Sequence, residues 1–253
     1  MRDLRVKGNG HAGGPKVVLG YPVGGSVTLP FHVSVLQLLA YELAKPDHSR
    51  LLSKITHTSG LYVADNRTML VQRFLETDAD WLLQVDTDIE FPVTLVETML
   101  RIAGDDRKIV AANVPLGVYA SVAFMETKTP GIWDCLETLP ADVFQCDGAA
   151  TAVYLAHRDV FKAIAAEHGQ CWFHHMYLPK SPEGTPPWAF KFQSIGEDLA
   201  FSLRAKRSGF QTWVARVPGL GHHKTRKLSH DQDWARAMAA EDPGVGEIVQ
   251  EEA

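Results

Sequence analysis

Four short strand-like runs constrain the fold of this chain most: Lys16-Val17-Val18-Leu19-Gly20, Lys54-Ile55-Thr56-His57-Thr58, Trp81-Leu82-Leu83-Gln84-Val85 and Ile109-Val110-Ala111-Ala112. Each is too short for a helix and reads as a strand, buried in the case of Lys16–Gly20 and Trp81–Val85. Segments with helical spacing separate them. Residues 29–45 carry Val33, Leu36, Leu39, Ala40 and Leu43 as a helical face, stopped by Pro46 and Asp47. Residues 64–77 offer Met69, Leu70, Phe74 and Leu75, and Pro92 opens a helix through about Ile102. Strands alternating with helices at these lengths predict βαβ units: an α/β chain with a mixed, mostly parallel central sheet flanked by helices.

The second half is less regular. Residues 115–145 have room for two or three strands whose limits the pattern does not fix. Ala149 to Leu155 reads as a strand, Arg158 to His168 as a helix, Glu197 to Ser208 as a helix closed by Gly209, and Thr212 to Val217 as a strand. Residues 172–195, rich in Pro, His and aromatics, read as a long loop or lid. No repeat or sharp linker interrupts the chain. The expected organisation is a flexible, glycine-rich segment over 1–15, one domain over 16–230 and an acidic tail over 231–253.

Composition narrows the function classes. At 253 residues and 45% hydrophobic content the chain can bury one sizeable core. A net charge of -5 gives no bulk attraction to nucleic acid or to anionic membrane. The cysteines Cys135, Cys146 and Cys171 are odd in number and widely spaced, which argues against a disulfide framework and for a reducing, cytoplasmic setting. No stretch reaches the ~18 consecutive apolar residues of a membrane span, so stable membrane insertion is not expected.

Three motifs carry chemistry. In Leu82-Leu83-Gln84-Val85-Asp86-Thr87-Asp88-Ile89-Glu90-Phe91-Pro92, two carboxylates spaced i, i+2 lie just past a buried strand. Ligands of mostly parallel sheets collect beyond the C-terminal strand ends, and hard oxygen donors there suit Mg²⁺ or Mn²⁺. Alone, such a motif is more often a solvated acidic turn capping the next helix; the apolar run before it and Pro92 after it favour the metal reading. Gly196-Glu197-Asp198 stands at a predicted helix start, where carboxylates are stabilised by the macrodipole; it reads either as a cap or as a general base, Asp198, with Glu197 at the acceptor. Gly219-Leu220-Gly221-His222-His223-Lys224-Thr225-Arg226-Lys227 combines imidazoles able to ligate Mn²⁺ with cations able to meet phosphate, or is a solvated basic loop.

In this order, together with Tyr21-Pro22-Val23 after the first strand, Asn66-Arg67 on a helix, Asp147-Gly148-Ala149-Ala150-Thr151 before a strand, and Arg204 with Gly209-Phe210, these motifs resemble the GT-A glycosyltransferases, above all small phage-encoded ones related to the large inverting family. The resemblance runs from about Lys16 to Lys227. It implies a single GT-A-like, Rossmann-like domain that moves a sugar from a UDP- or GDP-sugar to an acceptor hydroxyl with Mn²⁺ or Mg²⁺. Tyr21, Pro22, Val23, Asn66, Arg67, Asp86, Thr87 and Lys224 would face the donor. Asp86, Asp88 and His222 would serve the metal, with His223 a rival ligand. Asp198 would be the base beside Glu197. Gly148, Ala149, Trp172, Trp188 and Gly196 would approach the acceptor, whose identity (a modified DNA base, a protein or a glycan) stays open. Inversion is the expected outcome, and retention is open on the same fold. Many relatives read Arg-Asn where this chain has Asn66-Arg67, so which of the two side chains meets the donor is open. A phage origin would put the protein in a host cytoplasm.

Two rivals remain at this level. A sugar-phosphate nucleotidyltransferase would carry a longer Gly-rich, Arg- and Lys-containing stretch than Tyr21-Pro22-Val23-Gly24-Gly25-Ser26. A non-catalytic nucleotide- or sugar-binding module would have no need of Asp86, Asp88, Asp198 and His222 together. Cys171-Trp172-Phe173-His174-His175 lacks the second ligand pair of a zinc site.

Overall fold

The computed structural model describes residues 14–114, 122–128, 132–179 and 192–223. Its elements follow the chain as β1 (Val17–Val23), α1 (Leu29–Leu43), β2 (Leu52–Ser59), α2 (Val63–Leu75), β3 (Trp81–Val85), β4 (Ile89–Glu90), α3 (Leu95–Ala103) and β5 (Ile109–Ala112). Then come β6 (Ala123–Glu126), β7 (Trp133–Cys135), β8 (Val143–Cys146), β9 (Gly148–Ala149), β10 (Val153–His157) and α4 (Arg158–His168). The series closes with β11 (Met176–Pro179), β12 (Phe192–Ile195), α5 (Glu197–Arg207), β13 (Thr212–Ala215) and β14 (Gly221–His222). One compact unit runs to His223; the unit beyond it, with the expected acidic tail, lies outside the described residues.

Seven strands form the central sheet in the order β2-β1-β3-β10-β5-β13-β8. Pairs β1/β2, β1/β3 and β5/β13 are parallel, while β10 runs against both neighbours and β8 against β13. Five of the seven strands therefore share one direction, the mixed, mostly parallel sheet that the sequence predicts. Alternation along each strand splits the core in two. Leu82, Tyr154 and Ala111 point to one face, where Val71 and Phe74 of α2, Phe161 of α4 and Phe201 of α5 cover them. Leu83, Leu155 and Val110 point to the other, under Phe31 and Leu38 of α1 and Met99 of α3.

Several expectations need correction. β1 extends through Tyr21, Pro22 and Val23, paired with His57, Thr58 and Ser59, rather than ending in a loop at Tyr21. The strand expected over Ala149–Leu155 is broken at Ala150-Thr151-Ala152 between β9 and β10. Part of the expected lid is structure of its own: β11 and β12 form an antiparallel hairpin.

Helix α1 departs most from its pattern. The expected apolar face, Val33, Leu36, Leu39, Ala40 and Leu43, is exposed, and Phe31, Ser34, Leu38 and Glu42 are buried. Hydrogen bonds fix this orientation. Ser34 Oγ accepts the Phe91 N–H at 3.0 Å. Glu42 Oε2 accepts the Leu51 and Leu52 N–H groups, and its Oε1 pairs with Lys45. Lys45 and these N–H groups outweigh burial and hold the Glu42 carboxyl below its ordinary value.

Candidate active site

The end of β3 is the centre of the site. Asp86-Thr87-Asp88-Ile89 closes as a turn in which Asp86 O accepts the Ile89 N–H at 3.2 Å, with aspartate at the position type I turns favour. Because β10 runs antiparallel to β3, its start lies beside the end of β3. The Asp86 N–H accordingly donates to Ala152 O at 2.7 Å. Thr87 O accepts both the N–H and the hydroxyl of Thr28, the N-cap of α1, and the Thr87 hydroxyl donates to Ser26 O. Thr87 is thus an anchor tying the acidic turn to the β1–α1 connection, and its side chain is committed to that contact.

The two carboxylates of the turn meet different partners. Asp86 turns inward to Arg67 of α2, whose Nη2 lies 3.0 and 3.2 Å from its two oxygens. Nη1 of the same guanidinium donates to Thr151 O at 2.9 Å. The Arg67 side chain is 3% exposed. Burial works against its charge, but Asp86 and Asp198 more than offset this and raise its pKa. Asp86 itself is pushed up to about 6, first by burial and then by Asp198 and Asp88, against the opposing pull of Arg67. On the far side of Thr151, its hydroxyl donates a short hydrogen bond to Asp198 Oδ1. One buried cation and one threonine therefore link the acidic turn to the first turn of α5.

Asp88 meets a different partner at nearly the same exposure. His222 Nε2 lies 3.1 Å from Asp88 Oδ2, and the His223 N–H donates to Asp88 O at 2.8 Å. The short β4/β14 pairing, with His222 opposite Ile89 and Gly221 opposite Glu90, creates this juxtaposition across 134 positions of sequence. His223 points to Glu90 at 2.8 Å, so His222 is the histidine that shares a site with Asp88. Among the described residues no three His, Cys, Asp or Glu side chains form a complete metal cage. An open pair still suits a hard cation. Donors on adjacent octahedral vertices at about 2.1 Å stand roughly 3.0 Å apart, and Mg²⁺-type sites complete their shell with water and substrate phosphate. Asp88 and His222 would be the residues that hold it.

The remaining expected residues divide. Asn66 turns away from the site: its Nδ2 donates to Gly60 O, and its backbone O accepts the Thr58 hydroxyl, so it fastens the β2–α2 turn. Of the Asn66-Arg67 pair, Arg67 is the one at the site. Tyr21 stacks on His57 at 5.6 Å and meets the edge of Phe31, at the same end of the sheet. Gly196 is the exposed N-cap of α5, and Glu197 and Asp198 occupy its first turn. Gly148 and Ala149 are buried against α5. A Cβ at Gly148 would fall 2.7 Å from Leu199 Cδ2 and 3.0 Å from Trp133, so the missing side chain leaves room for both. Trp172 is also core, fully buried with its indole N–H donating to Phe161 O; it offers no face to an acceptor. Trp188 and Lys224 lie outside the described residues.

Sequence reasoning missed three neighbours. Among the described residues the buried Tyr154 hydroxyl has no hydrogen-bond partner; burial raises its pKa well above the ordinary value, and Arg67, Asp198 and Asp86 act on it at closer range. Thr151 was visible only as part of a motif. His175, exposed, stands 3.6 Å from Glu197, and Arg204 fixes that loop through Trp172 O and His174 O. No local pattern marks Tyr154, which reads as one more apolar strand position.

No family model and no curated protein matches the sequence. Solved structures do match. GalNAc-T7, in a crystal structure with UDP, GalNAc and Mn²⁺, superposes with a TM-score of 0.53 at 11% identity over 84% of this chain. The fold is GT-A-like. The matched region spans 44% of that longer chain. A197 from STIV matches at TM-score 0.47 and 15% identity, over 85% of this chain and 100% of its own. Among the described residues of this GT-A-like chain, no helix is long and apolar enough to cross a membrane.

Proposed function

We propose that this chain is a metal-dependent glycosyltransferase that moves a sugar from a nucleoside-diphosphate sugar to an acceptor hydroxyl, with inversion. The observation that carries the reading is the convergence of Asp88 and His222 at the end of β3, beside a second carboxylate site at Asp198. The UDP and Mn²⁺ of the GalNAc-T7 structure support the donor and metal classes. A divalent cation on Asp88 and His222 would neutralise charge on the departing diphosphate.

The chain's own groups then have separable tasks. Asp198, oriented by the Thr151 hydroxyl, accepts the acceptor's proton as its oxygen attacks the anomeric carbon. Glu197, in the same helix turn, contacts the acceptor. Arg67 holds Asp86 in place from behind rather than reaching the donor itself. Tyr21 offers a partly buried ring at the donor end of β1.

Calorimetry of the metal-free protein with UDP and GDP, with and without Mn²⁺, tests the metal. Nucleotide affinity should rise at least tenfold with Mn²⁺, and equal affinities would remove the cation from the scheme. A screen of UDP- and GDP-sugars for nucleotide release tests turnover. Tight binding with no release from any donor, across sugar and hydroxyl acceptors, would favour a binding module.

A further inference from the structure

The sheet face covered by α2 gathers buried polar side chains beneath the Arg67–Asp86 ion pair. Leu82 and Tyr154 lie on this face, and strand alternation adds Gln84, which the register sets directly opposite Tyr154. Asp86 continues the alternation to the end of β3, where it meets Arg67. Helix α2 covers the face with Ala64, Arg67, Thr68 and Val71, a stripe at helical spacing and buried throughout. Gln84 is 0% and Tyr154 1% exposed. The Tyr154 ring is fixed 5.5 Å from Phe201 and 5.8 Å from Phe173. Among the described residues, Gln84 Oε1 and Nε2, the Tyr154 hydroxyl, Thr68 Oγ1 and Arg67 Nε have no hydrogen-bond partner. Leaving each unpaired costs more than a hydrogen bond gains, whereas Leu and Phe would fill the two strand positions at no such cost.

Donor and acceptor chemistry selects what these groups bind. A carboxamide and two hydroxyls both donate and accept, and the Arg67 Nε–H only donates. A cation bound there would face the Arg67 guanidinium, and an anion would face Asp86 and Asp198. A neutral molecule that both donates and accepts meets every group, and buried water does so with about two to four hydrogen bonds. We propose that Gln84, Tyr154, Thr68 and Arg67 Nε form a buried water site, through which Gln84 and Tyr154 act as positioning residues for the Arg67 guanidinium. Its Nη1 and Nη2 are committed to Thr151 O and Asp86. Water on Nε fixes the remaining edge of the guanidinium plane. Arg67 then holds Thr151, and through the Thr151 hydroxyl Asp198, from beneath.

Two measurements test this, and neither depends on turnover, so a failed donor screen and a failure here are distinguishable. A high-resolution crystal structure of the metal-free full chain should show water within hydrogen-bond distance of Arg67 Nε and of Gln84 or Tyr154. In NMR spectra of the arginine Nε–H groups, the Arg67 signal, assigned by its loss in Arg67→Lys, should exchange slowly with solvent. Tyr154→Phe and Gln84→Met nearly conserve side-chain volume, so packing alone predicts no effect on that signal. Each should instead speed its exchange about tenfold, the order of one lost hydrogen bond, with an unchanged circular dichroism spectrum. If one variant fails to fold, the other carries the comparison; if both fail, the crystal structure decides. An Arg67 Nε bonded to a protein group or without water in the crystal structure overturns the proposal. So does unchanged exchange in a folded variant.

Discussion

Asp86 and Asp88 stand two residues apart in one turn, yet the fold gives them opposite companions. Asp86 leans on the buried, permanently charged guanidinium of Arg67 and Asp88 meets the imidazole of His222, although the two carboxylates are almost equally exposed, at 28% and 30%. A cation that cannot leave makes the inner half a scaffold: it holds the turn, Thr151 and, through it, Asp198. The outer half is held instead by a single imidazole–carboxylate contact, His222 to Asp88, across the β4/β14 pairing. Spacing in the chain treats the two carboxylates alike; their partners divide the labour.

The comparison can be broken in four ways, from largest effect to smallest. Asp198→Asn, on the inner half, should lower turnover about 10²- to 10⁴-fold while nucleotide binding persists; steady-state rates alongside calorimetry read this, and near-normal turnover would show that Asp198 is not the base. Arg67→Met should cost about 1–3 kcal/mol of unfolding free energy, because it removes the partner of the partly buried Asp86 carboxylate and of Thr151 O. Urea unfolding that shifts by less than about 1 kcal/mol would show that the inner half is no scaffold. His222→Ala should leave stability within about 1 kcal/mol but weaken Mn²⁺ binding at least tenfold, on the order of a lost ligand contact. A variant that unfolds as readily as Arg67→Met would erase the distinction between the halves.

The smallest effect is one of pH. The folded pKa of Asp86, about 6, lies above the ordinary carboxylate value, so the folded state binds this proton more tightly than the unfolded chain does. Stability contributed at this position is greatest below about pH 4 and is lost as pH rises to about 6. Partial exposure trims the change to the order of 1 kcal/mol. The difference in unfolding free energy between the wild type and Asp86→Asn, followed from pH 4 to 7 without metal, should fall by that amount. A flat difference would mean that Arg67 fully compensates Asp86.

The residues of the candidate site were legible to unequal degrees. Asp86, Asp88, Asp198 and His222 stood out in the sequence as polar groups beside apolar strands, and the fold brings Asp88 to His222 and links Asp86 to Asp198 through Arg67 and Thr151. Trp172 looked equally suited to a sugar, and Gly148 to a close approach; burial shows one to be core and the other to make room for Leu199. Composition could not separate these cases, since a stacking aromatic and a packed one have the same side chain.

Local patterning by itself determined the class of this protein: short strands at Trp81–Val85 and Ile109–Ala112, helices among them, and a carboxylate turn at a strand end. These follow from periodicity and turn chemistry, which act over a few residues. Only the tertiary structure decided that His222 rather than His223 meets Asp88, that Arg67 serves Asp86, and that the leucine stripe of α1 faces outward. Those outcomes rest on hydrogen bonds and ion pairs between residues distant in the chain, such as Glu97 with Lys45 and Ser34 with Phe91. Hydrophobic spacing marks a candidate buried face on a helix; which face is buried is fixed by the contacts that orient the helix.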